Sequence, residues 1–343
     1  MSAHIILALL SCGATGNTLN ELNNGLHLLD DNVKAAYQQA IQNMNSYQQV
    51  KFQWSNKVYI QNGQQFNPYF QSNANQIFGA EVGNIDFSNG DQAADQINYW
   101  VGDKTQNTIK NLVNGGDFAN TITALVNAMH FQGAWDKPFD PKNTAKQDFH
   151  VNGTTKQVDT MHQQYDTKYG ENAELDAKIL GMDFNGNEMS VIVILPNKLD
   201  GLNDLEKKLA NTNIENMVKN LTQQTVDVSL PKFGVGNANV FNDVLCKLGI
   251  CSMFKPNAEL NGILADFNAH LHVTNVHHNT YINLHEGGVT SGAGTGKVVS
   301  HTNHHSKRSA PHQFQADHPY FFAGINKDYQ MVFSGHFTGS NNN

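Results

Sequence analysis

"LVNAMHFQGAWDKPFDPKNTAKQDFHVNG", Leu125 to Gly153, is the stretch on which the reading of this chain turns. On its own residues it starts inside a strongly apolar strand, Thr123 to Phe131, and then turns polar beyond Trp135. Strand patterns recur on both sides. Phe52 to Ile60 alternates, and "MSVIVILP", Met189 to Pro196, is a short buried run closed by a proline. Thr225 to Phe233 alternates and also ends at a proline. Leu271 to His285 predicts a long strand. "PYFFAGIN" and "QMVFSGHF" predict a hairpin through Lys327 and Asp328. Helical spacing marks Leu22 to Asn45, Asp91 to Val113 with Trp100 and Val101 inward, Leu202 to Leu209, and Val240 to Ile250. The mixture of helices with antiparallel strands, without repeats or a proline-rich linker, predicts an α+β fold.

Near the start, "IILALL", Ile5 to Leu10, reads as a buried helix stopped by Gly13 and Gly16. A signal peptide would carry a basic residue ahead of its apolar core, and none is there. No other apolar run approaches the roughly 20 residues a membrane span needs.

Composition narrows the function. Of 343 residues, 39% are hydrophobic and only 15% charged, with Asn and Gln filling the gap, so the chain is not an acidic disordered tail. A net charge of -8 without any long Lys/Arg run excludes a general nucleic-acid or heparin-like partner. Cys12, Cys246 and Cys251 lack metal spacing and are expected to be reduced thiols without a role. There is no G-x-S-x-G elbow, so a serine hydrolase is not supported. His301, His304, His305 and His312 crowd one segment, but without a rigid scaffold or Cys/Asp partners no metal site is expected, and no cofactor. Asn152-Gly-Thr and Asn220-Leu-Thr are glycosylation sequons, relevant only to a secreted chain.

The Leu125–Gly153 stretch resembles the signature segment of the serpins: an Asn-Ala strand, Phe-x-Gly-x-Trp, Pro-Phe, a Thr, then Asp-Phe-His-Val. "VDVSLPKF" (Val226 to Phe233) and "DVLCKLGICSMF" (Asp243 to Phe254) resemble two further serpin blocks. "VHHNTYINLHEGG" (Val276 to Gly288) resembles the strand that leads into the reactive loop. "ADHPYFFAGINKDYQMVFSGHF" (Ala316 to Phe337) resembles the C-terminal hairpin. "LALLSCGATGNT", Leu7 to Thr18, is similar to the family's second helix. The blocks run in family order from about Ser2 to Phe337. The family's first helix and the strand after it have no counterpart, so a truncated or naturally short member is expected. The resemblance implies one domain over residues 1–343, with three mainly antiparallel β-sheets, about eight helices and an exposed reactive-centre loop at about 286–313.

It also implies a function: a protease inhibitor and suicide substrate, not an enzyme, acting as a secreted, extracellular monomer without nucleic acid or membrane. The target protease cuts the loop and forms an acyl-enzyme, and the cut loop enters the large sheet as a new strand. Glu286 matches the family's hinge Glu, Gly288 its hinge Gly, and Thr295 a family Thr. The hinge covers Glu286, Gly287, Gly288, Val289, Thr290, Ser291, Gly292, Ala293 and Thr295. Strand alternation puts Val289, Ser291, Ala293 and Thr295 on the buried side, and all four are small or β-branched and uncharged. Counting about 17 residues from Glu286 gives Thr302-Asn303 as the reactive bond, with Val299, Ser300 and His301 as neighbouring bait residues. Thr302 does not suit a trypsin-like pocket; it suits a small-pocket serine protease or a papain-like cysteine protease. Arg308-Ser309 is the alternative bond, which a trypsin-like enzyme would cut. Asn127, His278 and Ser2 match a polar network beneath the opening of the sheet, and Trp135 matches the Trp where the loop inserts.

Overall fold

The computed structural model of the chain describes residues 2–28, 32–290 and 310–340. Helix α1 (Ser2–Ser11) is apolar all round and buries Ile5, Ile6, Leu9 and Leu10 completely, each contributing about 1.5–3 kcal/mol. Helices α2 (Gly16–Gly25) and α3 (Val33–Asn45) follow, then strand β1 (Val50–Gln61), helix α4 (Pro68–Gln76), strand β2 (Glu81–Ile85) and helix α5 (Gly90–Lys104). Strands β3 (Thr123–Ala134), β4 (Ala145–Val151), β5 (Thr154–Asn172), β6 (Ala177–Asp183) and β7 (Met189–Pro196) come next. After α6 (Leu202–Leu209) and α7 (Ile214–Lys219) lie β8 (Thr222–Pro231), β9 (Phe233–Val240) and α8 (Asn242–Lys247). The chain closes with β10 (Asn275–His285), β11 (Gly288–Thr290), β12 (His312–Gln315), β13 (Tyr320–Asn326) and β14 (Met331–Phe337). Among the described residues no helix is long and apolar enough to cross a membrane.

The chain forms two compact units. The first comprises residues 1–46, 52–130 and 236–281. There α5 buries Ala93, Ala94, Ile97 and Val101 against Tyr59 of β1 and Ala124, Val126 and Ala128 of β3. Asn89 caps it by accepting from the Gln92 amide, with Asp91 in its first turn and Lys104 in its last. A second cluster joins α1 to Leu125, Val273 and Val276. β10 pairs in parallel with β3, from Asn275 opposite Ala124 to Tyr281 opposite His130. β1 pairs in parallel with β2.

The second unit comprises residues 47–51, 131–235 and 282–343. Its strands run in the order β12, β8, β5, β6, β7, β13, β14, with β4 on β5. The 19-residue β5 pairs with β4 and β8 over Thr154 to Tyr169 and with β6 from Lys168 onward. Through it, these strands form one pairing network. Asn152 and Gly153, at φ +50° and +70°, make the tight β4–β5 turn.

β7 and α6 have the expected bounds, and the β13–β14 hairpin forms as expected. Other boundaries differ. The helix expected from Asp91 to Val113 stops at Lys104, because Gln106 and Asn107 take positive φ. Ile109, Leu112 and Val113 are buried all the same. The Asn98 carboxamide takes over the helix's role there, accepting from the Leu112 and Val113 amides and donating to the Val113 carbonyl. The Leu22–Asn45 pattern is split between α2 and α3, with His27 at φ +55° past the first helix. β10 starts at Asn275 instead of Leu271. α8 is shorter than the Val240–Ile250 pattern, and Gly249 at φ +83° turns the chain back. That turn brings Cys246 and Cys251 together as a disulfide, correcting the expectation of three free thiols. Cys12 alone is free, its thiol pushed up by burial.

Candidate functional site

In the second unit β10 ends at His285, the chain turns through Glu286 and Gly287, and β11 returns antiparallel to β10, with Leu284 opposite Val289 and His285 opposite Gly288. The far edge of β11 pairs antiparallel with the end of β3, Gly288 opposite Ala134 and Val289 opposite Gly133. The short strand therefore lies between β3 and β10. Main-chain bonds hold the turn. The Trp135 amide donates to the Gly287 carbonyl at 3.0 Å, its indole Nε1 to the His285 carbonyl at 2.9 Å, and the Phe139 amide to the Glu286 carbonyl at 2.9 Å. Trp135 itself is stacked on Phe184, centroids 4.5 Å apart. Val289 is fully buried.

Gly288 has to be glycine. Its φ is +148°, and an added Cβ would stand 2.0 Å from the Gly133 carbonyl oxygen. Glu286 accepts from the Thr144 hydroxyl at 2.8 Å and from Lys232 Nζ at 3.1 Å. Burial pushes its carboxyl up, but hydrogen bonds from its own backbone amide, Thr144 and Lys232 outweigh that and hold it below the usual carboxylate range.

In the first unit the parallel register sets His278 directly opposite Asn127. His278 Nδ1 lies 2.5 Å from Asn127 Oδ1, Asn127 Nδ2 donates to Asn56 Oδ1 at 2.5 Å, and Thr280 Oγ1 lies 3.0 Å from His278 Nε2. These contacts fit a neutral imidazole that donates from Nδ1 and accepts at Nε2. Burial lowers its pKa to about 4. Phe241 packs on the ring, centroids 4.7 Å apart. Asn127 is completely buried and Asn56 nearly so.

The structure thus groups the expected residues in two places. Glu286, Gly287, Gly288 and Val289 lie with Trp135 in the second unit, and Asn127 lies with His278 in the first. Ser2 opens α1, and its side chain is outside the described residues, as is that of Thr290. Ser291, Gly292, Ala293 and Thr295, the bait residues Val299, Ser300 and His301, and both bonds, Thr302-Asn303 and Arg308-Ser309, are also outside them. Sequence reading missed Lys232, Thr144 and Phe139 at the hinge, and Asn56, Thr280 and Phe241 at the network. Two of these left a trace. Asn56 is an amide in the middle of a strand, a position strands disfavour. Thr280 is two residues from His278 and so shares its face.

The family model described as Serpin (serine protease inhibitor) matches residues 1–339. Antichymotrypsin-2 of Bombyx mori is 31% identical over 335 residues, covering 96% of this chain and 88% of that protein. The crystal structure of Serpin48 of Tenebrio molitor superposes with a TM-score of 0.86 at 31% identity, over 100% of this chain and 90% of the other. Thyroxine-binding globulin in complex with thyroxine superposes with a TM-score of 0.88, over 99% of this chain and 91% of that one, and at 24% identity it speaks for the fold alone. The chain belongs to the serpin family.

Proposed function

We propose that this chain inhibits a protease as a suicide substrate, in a single domain whose reactive loop spans about residues 286–313. The observation that carries the reading is β11, already seated between β3 and β10 as the first residues of an added strand. The protease nucleophile attacks the Thr302 carbonyl, the Thr302-Asn303 bond breaks, and Asn303 leaves as a new amino terminus. The acyl-enzyme keeps the protease on Thr302. Residues from Thr290 onward then extend β11 and replace the direct β3–β10 ladder by two ladders, one on each side of the new strand. Ser291, Ala293 and Thr295 continue the inward series begun by buried Val289. The target is a small-pocket serine protease or a papain-like cysteine protease, in a covalent one-to-one complex with a monomer. The Cys246–Cys251 disulfide supports an oxidising, extracellular setting.

The test is incubation with trypsin, an elastase and a papain-like cathepsin. A denaturant-stable complex that releases a peptide starting at Asn303 is the expected result. A peptide starting at Ser309 moves the bait bond to Arg308. Clean cleavage without a complex, and without a gain in thermal stability, sinks the inhibitor reading in favour of a carrier, chaperone or storage role.

A further inference from the structure

Two Asn-x-Thr sequons stand outside everything assigned so far, Asn152-Gly153-Thr154 and Asn220-Leu221-Thr222. The fold treats them differently. Asn152 and Gly153 are the two central residues of the turn from β4 to β5, at φ +50° and +70°, and Val151 pairs directly with Thr154 across it. Positive φ at both positions is the geometry that joins two antiparallel strands through two residues. Asn152, Gly153 and Thr154 are exposed, and so are Thr155, Lys156 and Gln157 behind them on β5. A Cβ added at Gly153 would meet no atom within 4 Å, so the space beside the asparagine is open. Among the described residues no group bonds the Asn152 carboxamide, and the Thr154 hydroxyl donates to the Val151 carbonyl at 2.7 Å.

Asn220 is exposed as well, but its sequon is tied into the body of the unit. Asn220 closes α7, its amide donating to the Asn216 carbonyl at 3.2 Å. Leu221 is half-buried against the cluster that holds Ile179, Ile194 and Leu205, and Thr222 pairs with Tyr169 on β5. An enzyme that grips an Asn-x-Thr segment has to lift all three residues off the fold. At Asn152 that takes the last pair of an exposed hairpin, which belongs to the low end of local opening. At Asn220 it takes the end of a helix, a strand pair and the burial of a leucine.

We propose that Asn152 is an N-glycosylation site, one that the folded hairpin still presents to the transferase. Asn152 Nδ2 attacks C1 of the first N-acetylglucosamine of an oligosaccharide carried on a lipid pyrophosphate. The Nδ2–C1 bond forms and the C1–O bond to phosphate breaks. The lipid pyrophosphate leaves with the electron pair, and Nδ2 gives up one proton to a carboxylate of the transferase. Access to such a donor rests on the extracellular setting proposed above, since donor and transferase belong to the secretory route.

The test takes the full-length chain, made in bacteria without glycan and folded, and incubates it with a purified single-subunit oligosaccharyltransferase and a chitobiosyl lipid pyrophosphate. Modified sites are read by peptide mass. Peptides of residues 147–157 and 215–225 run beside it and offer the two sequons without the fold. In the folded chain Asn152 is expected to react about tenfold faster than Asn220 or more, because Leu221 must first leave its cluster; the two peptides are expected to differ far less. Thr154→Ser keeps the hydroxyl and should keep the modification. Thr154→Ala should lose it at Asn152 alone, with a melting curve to show that the variant folds. An Asn152 left bare in the folded chain, whether or not its peptide is taken, overturns the site. Equal rates at Asn152 and Asn220 in the folded chain overturn the argument from the hairpin. No cell is involved, so a failure here leaves the extracellular setting standing, and a failure of that setting leaves this result standing.

Discussion

From Asn275 to Tyr281 strand β10 pairs directly with β3, whereas from Asn283 to His285 it pairs with β11, whose other edge pairs with the end of β3. The same two strands thus carry a closed seam in the first unit and an added strand in the second. The contacts beside each seam differ in kind. At the closed seam a neutral imidazole and two buried carboxamides link side chain to side chain. At the filled end the bonds are mainly from backbone to backbone, with one ion pair at the rim. Backbone bonds of a ladder are exchangeable, since a new strand offers the same groups again. A side-chain network has no such replacement and must break before a strand can pass. Under the proposed mechanism, this difference puts the barrier to insertion at His278 and Asn127, and the starting point at Gly288.

The largest effect is expected from breaking the filled end. Gly288→Val puts side-chain atoms into the space of the Gly133 carbonyl and imposes a φ that valine avoids. β11 should be lost from its place at a cost of about 2–4 kcal/mol. Hydrogen exchange of the Val289 amide should speed up about 30- to 900-fold, with global melting little changed. An unaltered exchange rate would mean that β11 is held by something other than its fit between β3 and β10.

The closed seam is broken by Asn127→Leu, which keeps the volume but strips His278 and Asn56 of their shared partner. A loss of about 2–3 kcal/mol in urea unfolding is expected, because buried polar groups are left unpaired. A loss well below that would show that the network is not what clasps the strands.

These two sites were unequally legible in the sequence. The hinge came from block resemblance, and the positive φ of Gly288 gives one of its residues a local physical reason. The network could be read only in part. His278 and Asn127 came from block resemblance, and nothing in either block marks Asn56 as the third member; parallel register and the neighbouring β1 bring it in. Lys232 and Thr144 escaped for the same reason, being distant in sequence from Glu286 and ordinary in type. The fold class was legible from periodicity, but helix α5 was read too long because Ile109, Leu112 and Val113 are buried without being helical. Burial makes a period; only the backbone at Gln106 and Asn107 ends it. The disulfide stayed hidden because a spacing of five residues becomes a bridge only through the turn at Gly249.

A smaller effect sharpens the closed seam by pH. The folded-state pKa of His278, about 4, lies below its value of 6.5 in an unfolded chain. The unfolded state therefore takes up the proton first. The stability this residue contributes is complete above pH 6.5 and declines as pH falls toward 4, by on the order of 3 kcal/mol. His130, His277 and His285 are lowered by burial too and add slopes of the same sign. The informative quantity is thus the difference between the wild type and His278→Gln, which should narrow steadily from pH 7 to pH 4. A constant difference would show that the imidazole does not titrate in the network.

The smallest effect is expected at the rim of the filled end, where Glu286 meets a Lys232 side chain that is 39% exposed. An ion pair open to solvent contributes about 1 kcal/mol or less, and salt screens it. Glu286→Gln keeps an oxygen for the Thr144 hydroxyl and leaves the two main-chain bonds and the Trp135 indole bond untouched. Exchange at Val289 should therefore rise only about 2- to 5-fold, far less than in Gly288→Val. Because the folded carboxyl sits below its ordinary value of 4.5, its contribution is present above that pH and fades as pH falls through it. The wild-type hinge should consequently loosen toward the Glu286→Gln rate in acid, and in part in 0.5 M NaCl, where the Debye length falls to about 4 Å. Should Glu286→Gln free β11 as fully as Gly288→Val does, charge and not backbone fit holds the added strand, and the contrast between the two seams would have to be drawn the other way round.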